Sequence, residues 1–174
     1  MPELRETIEE LLLPATRELL QATGGERVAP PPIDEGEAIL ASIGFGGADM
    51  KGALAVVAVE PTVRTLVAAI FDTTPDSDAL LCDMVGELSN LLLGRYRSTL
   101  LRIGIEILPA TPVTVRASGM DVQHAYGKDA SWHAFSTEVG AFWLCLDVSF
   151  REGFDVASPT HQPIEPNEQD LVLF

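Results

Sequence analysis

Lysine is almost missing from this chain: Lys51 and Lys128 are the only two in 174 residues. Lysine and arginine together number 11 against 26 acidic residues, a net charge of −15. No basic cluster exists, so nucleic acid and anionic membranes are poor partners. Cysteine is also scarce. Cys82 and Cys145 each sit in an apolar run. No CxxC or other metal-ligand spacing occurs, so two buried thiols are expected rather than a disulfide. The N-terminus carries acids where a signal peptide would carry positive charge, and its longest unbroken apolar stretch is Leu11 to Ala15. A secretory leader and a membrane span are therefore not expected, and a soluble cytoplasmic protein is. Apolar residues make up 47% and charged ones 21%, ordinary proportions for a globular protein, which excludes wholesale disorder and fibrous repeats. The length suits one domain, or one plus a tail, and such a domain buries roughly 70% of its unfolded surface.

What is present is a succession of periodic segments. Leu4, Ile8, Leu11, Leu12, Ala15 and Leu19 recur at helical steps with glutamates between them, predicting a helix over 3–22. Pro14 should kink or split it, and Gly24-Gly25 should end it. Ala29 to Pro32 reads as an extended connector. Ile39–Phe45 and Ala53–Val59 flank Gly46-Gly47-Ala48-Asp49 and predict a hairpin. Pro61 suits the first turn of a helix whose stripe is Val63, Leu66, Val67, Ile70 and Phe71. A long helix is expected from about Ser77 to Ile103, capped by Asp76 or Ser77 and closed by Gly104. Its buried side would be Leu81, Met84, Val85, Leu88, Leu91 and Leu92. Short strands at Glu106–Leu108 and Val113–Ala117 and a loop from Gly119 to Asp129 come next. A second hairpin, Trp132–Glu138 with Phe142–Phe150, turns at Val139-Gly140. Phe142, Leu144, Leu146, Val148 and Phe150 share one face of its last strand.

Strands segregated from helices point to an α+β fold, helices packed on a mostly antiparallel sheet. The domain is expected over 1–153. Residues 154–174 hold four acids, prolines and no lysine or arginine, and read as an acidic tail.

Chemistry concentrates on the long helix. Asp83, Glu87, Asn90, Gly94 and Arg97 are spaced by four, three, four and three residues, which sets them in one row. A solvated helix face is the bland explanation. Asn and Gly argue against it, because they cost a helix about 0.7 and 1 kcal/mol relative to Ala.

The stretch from Asp83 to Gly94, with Pro112 after twenty-one residues beyond Asn90, resembles the motif of the CheC/CheX/FliY phosphatases. That motif is Asp or Ser, three residues, Glu, two residues, Asn, then a proline slightly over twenty residues on. The Gly46-Gly47 hairpin with Lys51 to Leu54, and the segment Gly104 to Val115, sit where a CheX-like protein would have them. The resemblance covers roughly residues 5–150. A single such helix is similar to CheX rather than to CheC, which has two.

The resemblance implies a phosphatase acting on the aspartyl phosphate of a CheY-like response regulator. Asn90 would hold a water in line with phosphorus, and Glu87 would pair with the regulator's lysine. Asp83 would have a supporting or contact role. Gly94 would leave room for the partner's backbone, or else serve close helix packing, and Arg97 would lie lower on the same face. The chain would need no cofactor of its own, the Mg2+ belonging to the regulator. Two-fold homodimers are implied as well, and Trp132 or Trp143 beside Cys145, on the second face of the final hairpin, suits a subunit contact. The rival is a non-catalytic response-regulator-binding or adaptor domain of the same fold. Elsewhere, His124, His133 and His161 are scattered and no Ser/His/Asp or Cys/His signature appears. Gly44 to Gly47 precedes no helix and is a turn rather than a phosphate cradle.

Overall fold

The computed structural model describes residues 2–155 except 32, 34, 35, 73, 76, 120, 121, 123 and 124, with the backbone alone for residues 2 and 3. Helix α1 spans Pro2–Leu20, followed by strands β1 (Thr23–Val28), β2 (Glu37–Gly46) and β3 (Met50–Val59). Helices α2 (Glu60–Phe71) and α3 (Asp78–Arg102) come next, then β4 (Leu108–Pro109), β5 (Val113–Ser118), β6 (Ser131–Thr137) and β7 (Gly140–Phe150). The seven strands form one sheet ordered β1-β6-β7-β3-β2-β4, with β5 also on β2, and every pairing is antiparallel. The α+β expectation stands.

Alternation along β7 divides the protein into two layers. Phe142, Leu144, Leu146 and Val148 join Ile39, Ile43, Leu54 and Val56 in the core beneath the three helices. Cys145 faces the other way, with Trp132, Leu40, Ala55 and Val57. That second face is not bare. Ile33 and Val122 cover it from the loops, and Tyr126 stands edge-on to Trp132 at 5.8 Å. Trp132 is thus buried within its own subunit, and Trp143 is half-buried. The chain itself therefore covers Trp132, while Val113 and Val115, paired with Ser42 and Leu40 on the same face of the sheet, stay exposed.

Several boundaries differ from the sequence expectation for identifiable reasons. Pro14 lies inside α1 without splitting it. Gly24 and Gly25 do not stop a helix. They lie within β1, an edge strand whose register on β6 shifts between Gly24 and Glu26. Gly25 has φ +100°, and a Cβ on Gly24 would meet the Ala134 carbonyl at 2.8 Å. A glycine pair here makes a bulge, which needs the same backbone freedom as a turn. In the β2–β3 hairpin Gly47 serves close approach: a Cβ there would fall 2.0 Å from the Glu106 carbonyl oxygen.

The long helix is bounded as expected. Ser77 Oγ accepts from Leu80 N at 3.3 Å. Gly104, at φ +80°, turns the chain so that Ile105 N donates to Leu100 O at 2.9 Å. Asp76 lies outside the described residues, as do His124, His161 and the tail beyond residue 155. Phe154, assigned by the sequence to the tail, is 6% exposed and stacks on Phe150 with ring centroids 5.9 Å apart.

Candidate functional site

α3 lies against β2, β3 and β5 with α1 and α2 as neighbours. Leu81, Val85, Gly86, Ser89, Leu92, Leu93, Tyr96 and Leu100 are its buried residues. The opposite side is the row read from the sequence: Asp83, Glu87, Asn90, Gly94 and Arg97 are all exposed. Among the described residues neither Glu87 nor Asn90 has a side-chain hydrogen bond or ion pair. A carboxylate and a carboxamide three residues apart therefore face solvent with their bonding capacity unspent.

The two glycines of the helix have different roles. A Cβ on Gly86 would meet Thr114 Oγ1 at 3.2 Å, whereas one on Gly94 would meet nothing within 4 Å. Close packing belongs to Gly86. Gly94 is a gap in the exposed surface, and of its two expected roles only the open one survives. Leu91, expected on the buried side, is 42% exposed. It lies four residues after Glu87 and three before Gly94, so helical spacing puts it beside the polar row. The sequence contained that signal, and the run Leu91-Leu92-Leu93 masked it. Ile70 and Phe71, in the last turn of α2, likewise project to solvent instead of completing that helix's buried stripe.

Two contacts set the direction of β5 beneath α3. Arg116 Nη1 donates to Asp78 Oδ2 at 2.6 Å in the first turn of the helix, and Thr114 abuts Gly86 about two turns on. Pro112, just before β5, is half-buried. Around Arg116 a compact ionic group pins the start of α3. Arg116 also pairs with Glu60 at 2.6 Å and with Glu37, and Arg64 Nε donates to Glu60 Oε1 at 2.6 Å. Hydrogen bonds from Arg116 and then Arg64 hold the Glu60 carboxyl down to about 2. No sequence pattern joined residues 37, 60, 64, 78 and 116, because β2–β5 pairing and the packing of α2 and α3 on those strands bring them together.

Cys82 and Cys145 are free thiols, the first half-buried and the second buried. Burial pushes both upward from the ordinary thiol value. Among the described residues no group of three His, Cys, Asp or Glu side chains is placed to hold a metal ion, and no helix is long and apolar enough to cross a membrane.

Residues 39–136, which contain the α3 row and Pro112, match the family model described as chemotaxis phosphatase CheX. Solved structures share the fold. Chemotaxis protein CheX from Vibrio vulnificus is 20% identical with a TM-score of 0.67, over 80% of this chain and 99% of that one. CheX from Desulfovibrio desulfuricans is 20% identical with a TM-score of 0.66, over 83% and 99%. A CheX-CheY-BeF3-Mg2+ complex from Borrelia burgdorferi is 17% identical with a TM-score of 0.56, over 82% and 96%. No curated protein matches the chain.

Proposed function

The chain belongs to the CheX family of chemotaxis phosphatases, and from that premise we propose that it hydrolyses the aspartyl phosphate of a CheY-like response regulator. The observation that carries this is the pair Glu87 and Asn90, exposed and unpartnered on α3, with open space at Gly94 one turn on. The Borrelia burgdorferi complex of similar fold contains CheY and Mg2+, which supports a partner of that class. In this reading the Mg2+ belongs to the regulator.

The chemistry suits these side chains. An acyl phosphate is already reactive, so hydrolysis needs a placed nucleophile and balanced charge more than covalent catalysis. The Asn90 carboxamide accepts from and donates to one water, holding it in line with phosphorus without repelling the phosphate oxygens. Glu87 takes a charge-assisted hydrogen bond from the regulator's lysine and orients it. Asp83 contacts the partner at one end of the row. Gly94 admits its backbone, and Arg97 contacts it at the edge. Docking α3 into the partner site excludes bulk water. The protein works in the cytoplasm as a homodimer.

The test is decay of a phosphorylated CheY-like regulator with and without the protein. Acceleration by wild type, lost in Asn90→Ala, is the expected result. Binding without acceleration would make the chain a non-catalytic adaptor of the same fold.

A further inference from the structure

Glu9 and His133 form a buried titratable pair remote in sequence from the α3 row. Glu9 lies on α1 and His133 on β6, and they are 5% and 3% exposed. His133 Nδ1 is 3.1 Å from the carbonyl oxygen of Gly25, the bulge residue that drops out of the β1–β6 ladder. A carbonyl only accepts, so Nδ1 carries a hydrogen. That leaves Nε2 facing Glu9 Oε2 at 3.4 Å. A neutral imidazole with hydrogen on Nδ1 has a lone pair at Nε2, and a carboxylate has only lone pairs. Two buried acceptors cannot face each other without a proton between them.

We propose that Glu9 and His133 share one proton in the folded protein, and that this proton clasps α1 to the β1–β6 edge of the sheet. The pair is either imidazolium with carboxylate or imidazole with carboxylic acid, and either way it holds a single proton. The surroundings are cationic or neutral. Arg27 of β1 is the cross-strand partner of His133, and Ser131 of β6 faces Glu9. On α1 itself Arg5 is bonded to the carbonyls of Asp129 and Val148, and Arg17 to that of Gly24. Burial raises the Glu9 carboxyl, but hydrogen bonding and charge from His133, with Ser131 and Arg27 adding less, outweigh it and hold it below the usual carboxylate value. Glu9 Oε1 and His133 Nε2 are buried without a hydrogen-bond partner. What the clasp holds is substantial: α1 buries Ile8 and Leu12 and also meets α3 through Thr16 with Tyr96 and Glu18 with Arg95.

The sign follows from proton counting. Above pH ~6.5 an unfolded chain has this histidine neutral and this glutamate ionised, while the folded pair keeps its proton. Stability then falls as pH rises, by about tenfold in the folding constant per pH unit until the pair itself titrates. In Glu9→Gln the side-chain amide donates to a neutral Nε2, no proton is retained, and that slope vanishes. Urea unfolding of wild type and Glu9→Gln between pH 6.5 and 9 reads the difference directly, since every other group titrates alike in both. Equal slopes would overturn the proposal. If Glu9→Gln does not fold, 15N spectra of a His124→Gln/His161→Gln protein leave His133 as the sole histidine. A ring with hydrogen on Nδ1 and an Nε2 that is protonated or hydrogen-bonded at pH 7.5 is the expected result, and a neutral ring with a free lone pair at Nε2, or one protonated at Nε2 alone, would also overturn it.

Discussion

A Cβ on Gly86 would lie 3.2 Å from Thr114 Oγ1, so α3 packs closely on β5 there, while Gly94 two turns along meets nothing. The pair predicts opposite outcomes. Gly94→Ala should raise stability by about 1 kcal/mol, because Ala is the better helix former and no neighbour is disturbed. That is a rise of about 2–4 °C in Tm for a chain of this size. Gly86→Val should lower stability by about 1–3 kcal/mol through overpacking. If α3 is the docking surface, Gly94→Ala should also weaken partner binding although it is the more stable protein. Thermal unfolding alongside a regulator-binding titration checks both halves.

Asn90→Ala and Glu87→Ala should fail differently. Loss of one group that places the attacking water commonly costs about 10²–10³ in rate, so Asn90→Ala should lower kcat by that order and leave KM nearly unchanged. Glu87→Ala removes a charge-assisted contact to a cation and should raise KM as well. Both side chains are exposed and unpaired, so both variants should melt with wild type. Dephosphorylation at varied regulator concentration separates the two effects. Equal rates for wild type and Asn90→Ala would remove the catalytic assignment.

Acid should loosen the group around Arg116. The Glu60 carboxyl is held down to about 2 in the folded protein, so the stability it contributes is fully present above the ordinary carboxylate range. It is lost progressively as pH falls through that range toward 2. Glu60→Gln should therefore be less stable than wild type at pH 6 and lose less on acidification. Unfolding midpoints between pH 6 and 3 test this, and parallel curves for the two proteins would contradict it.

Phe154 packs into the folded core, beyond the boundary at 153 expected from the sequence. It is buried, stacks on Phe150, and its amide donates to Arg151 O at 3.0 Å. Deleting residues 156–174 should leave Tm within a few degrees, whereas deleting 154–174 should lower it clearly. Phe154→Ala alone should cost about 3 kcal/mol. Calorimetry of the three variants distinguishes a boundary at residue 155 from one at 153.

Assembly should use the β5 end of the face away from the helices rather than the buried Trp132. Among the described residues β5 pairs only with β2, and its Val113 and Val115 are exposed, as is Leu108 of β4. Light scattering should give twice 18.7 kDa. Replacing Val113 and Val115 by lysine should shift the protein to monomer.

How much of this was legible beforehand differs from element to element. Helical spacing alone placed Asp83, Glu87, Asn90, Gly94 and Arg97 on one exposed row of α3, because one helix contains all five and its period needs no tertiary information. Alternation alone set the inward face of β7, and Ser77 and Gly104 marked the ends of the long helix by local hydrogen bonding and backbone freedom. The edge strand β1 was not legible. Gly24 and Gly25 carry the same local signature in a turn and in a bulge, and only pairing with β6 distinguishes them. The fate of Trp132 depended on Tyr126 reaching over it, and the burial of Phe154 on the position of Phe150. Arg116 with Glu37, Glu60 and Asp78, and Glu9 with His133, join residues 38 to 124 positions apart. Periodicity along a chain reports which side of one element a residue occupies. Which groups then meet across elements is decided when sheet register and helix packing bring those sides together.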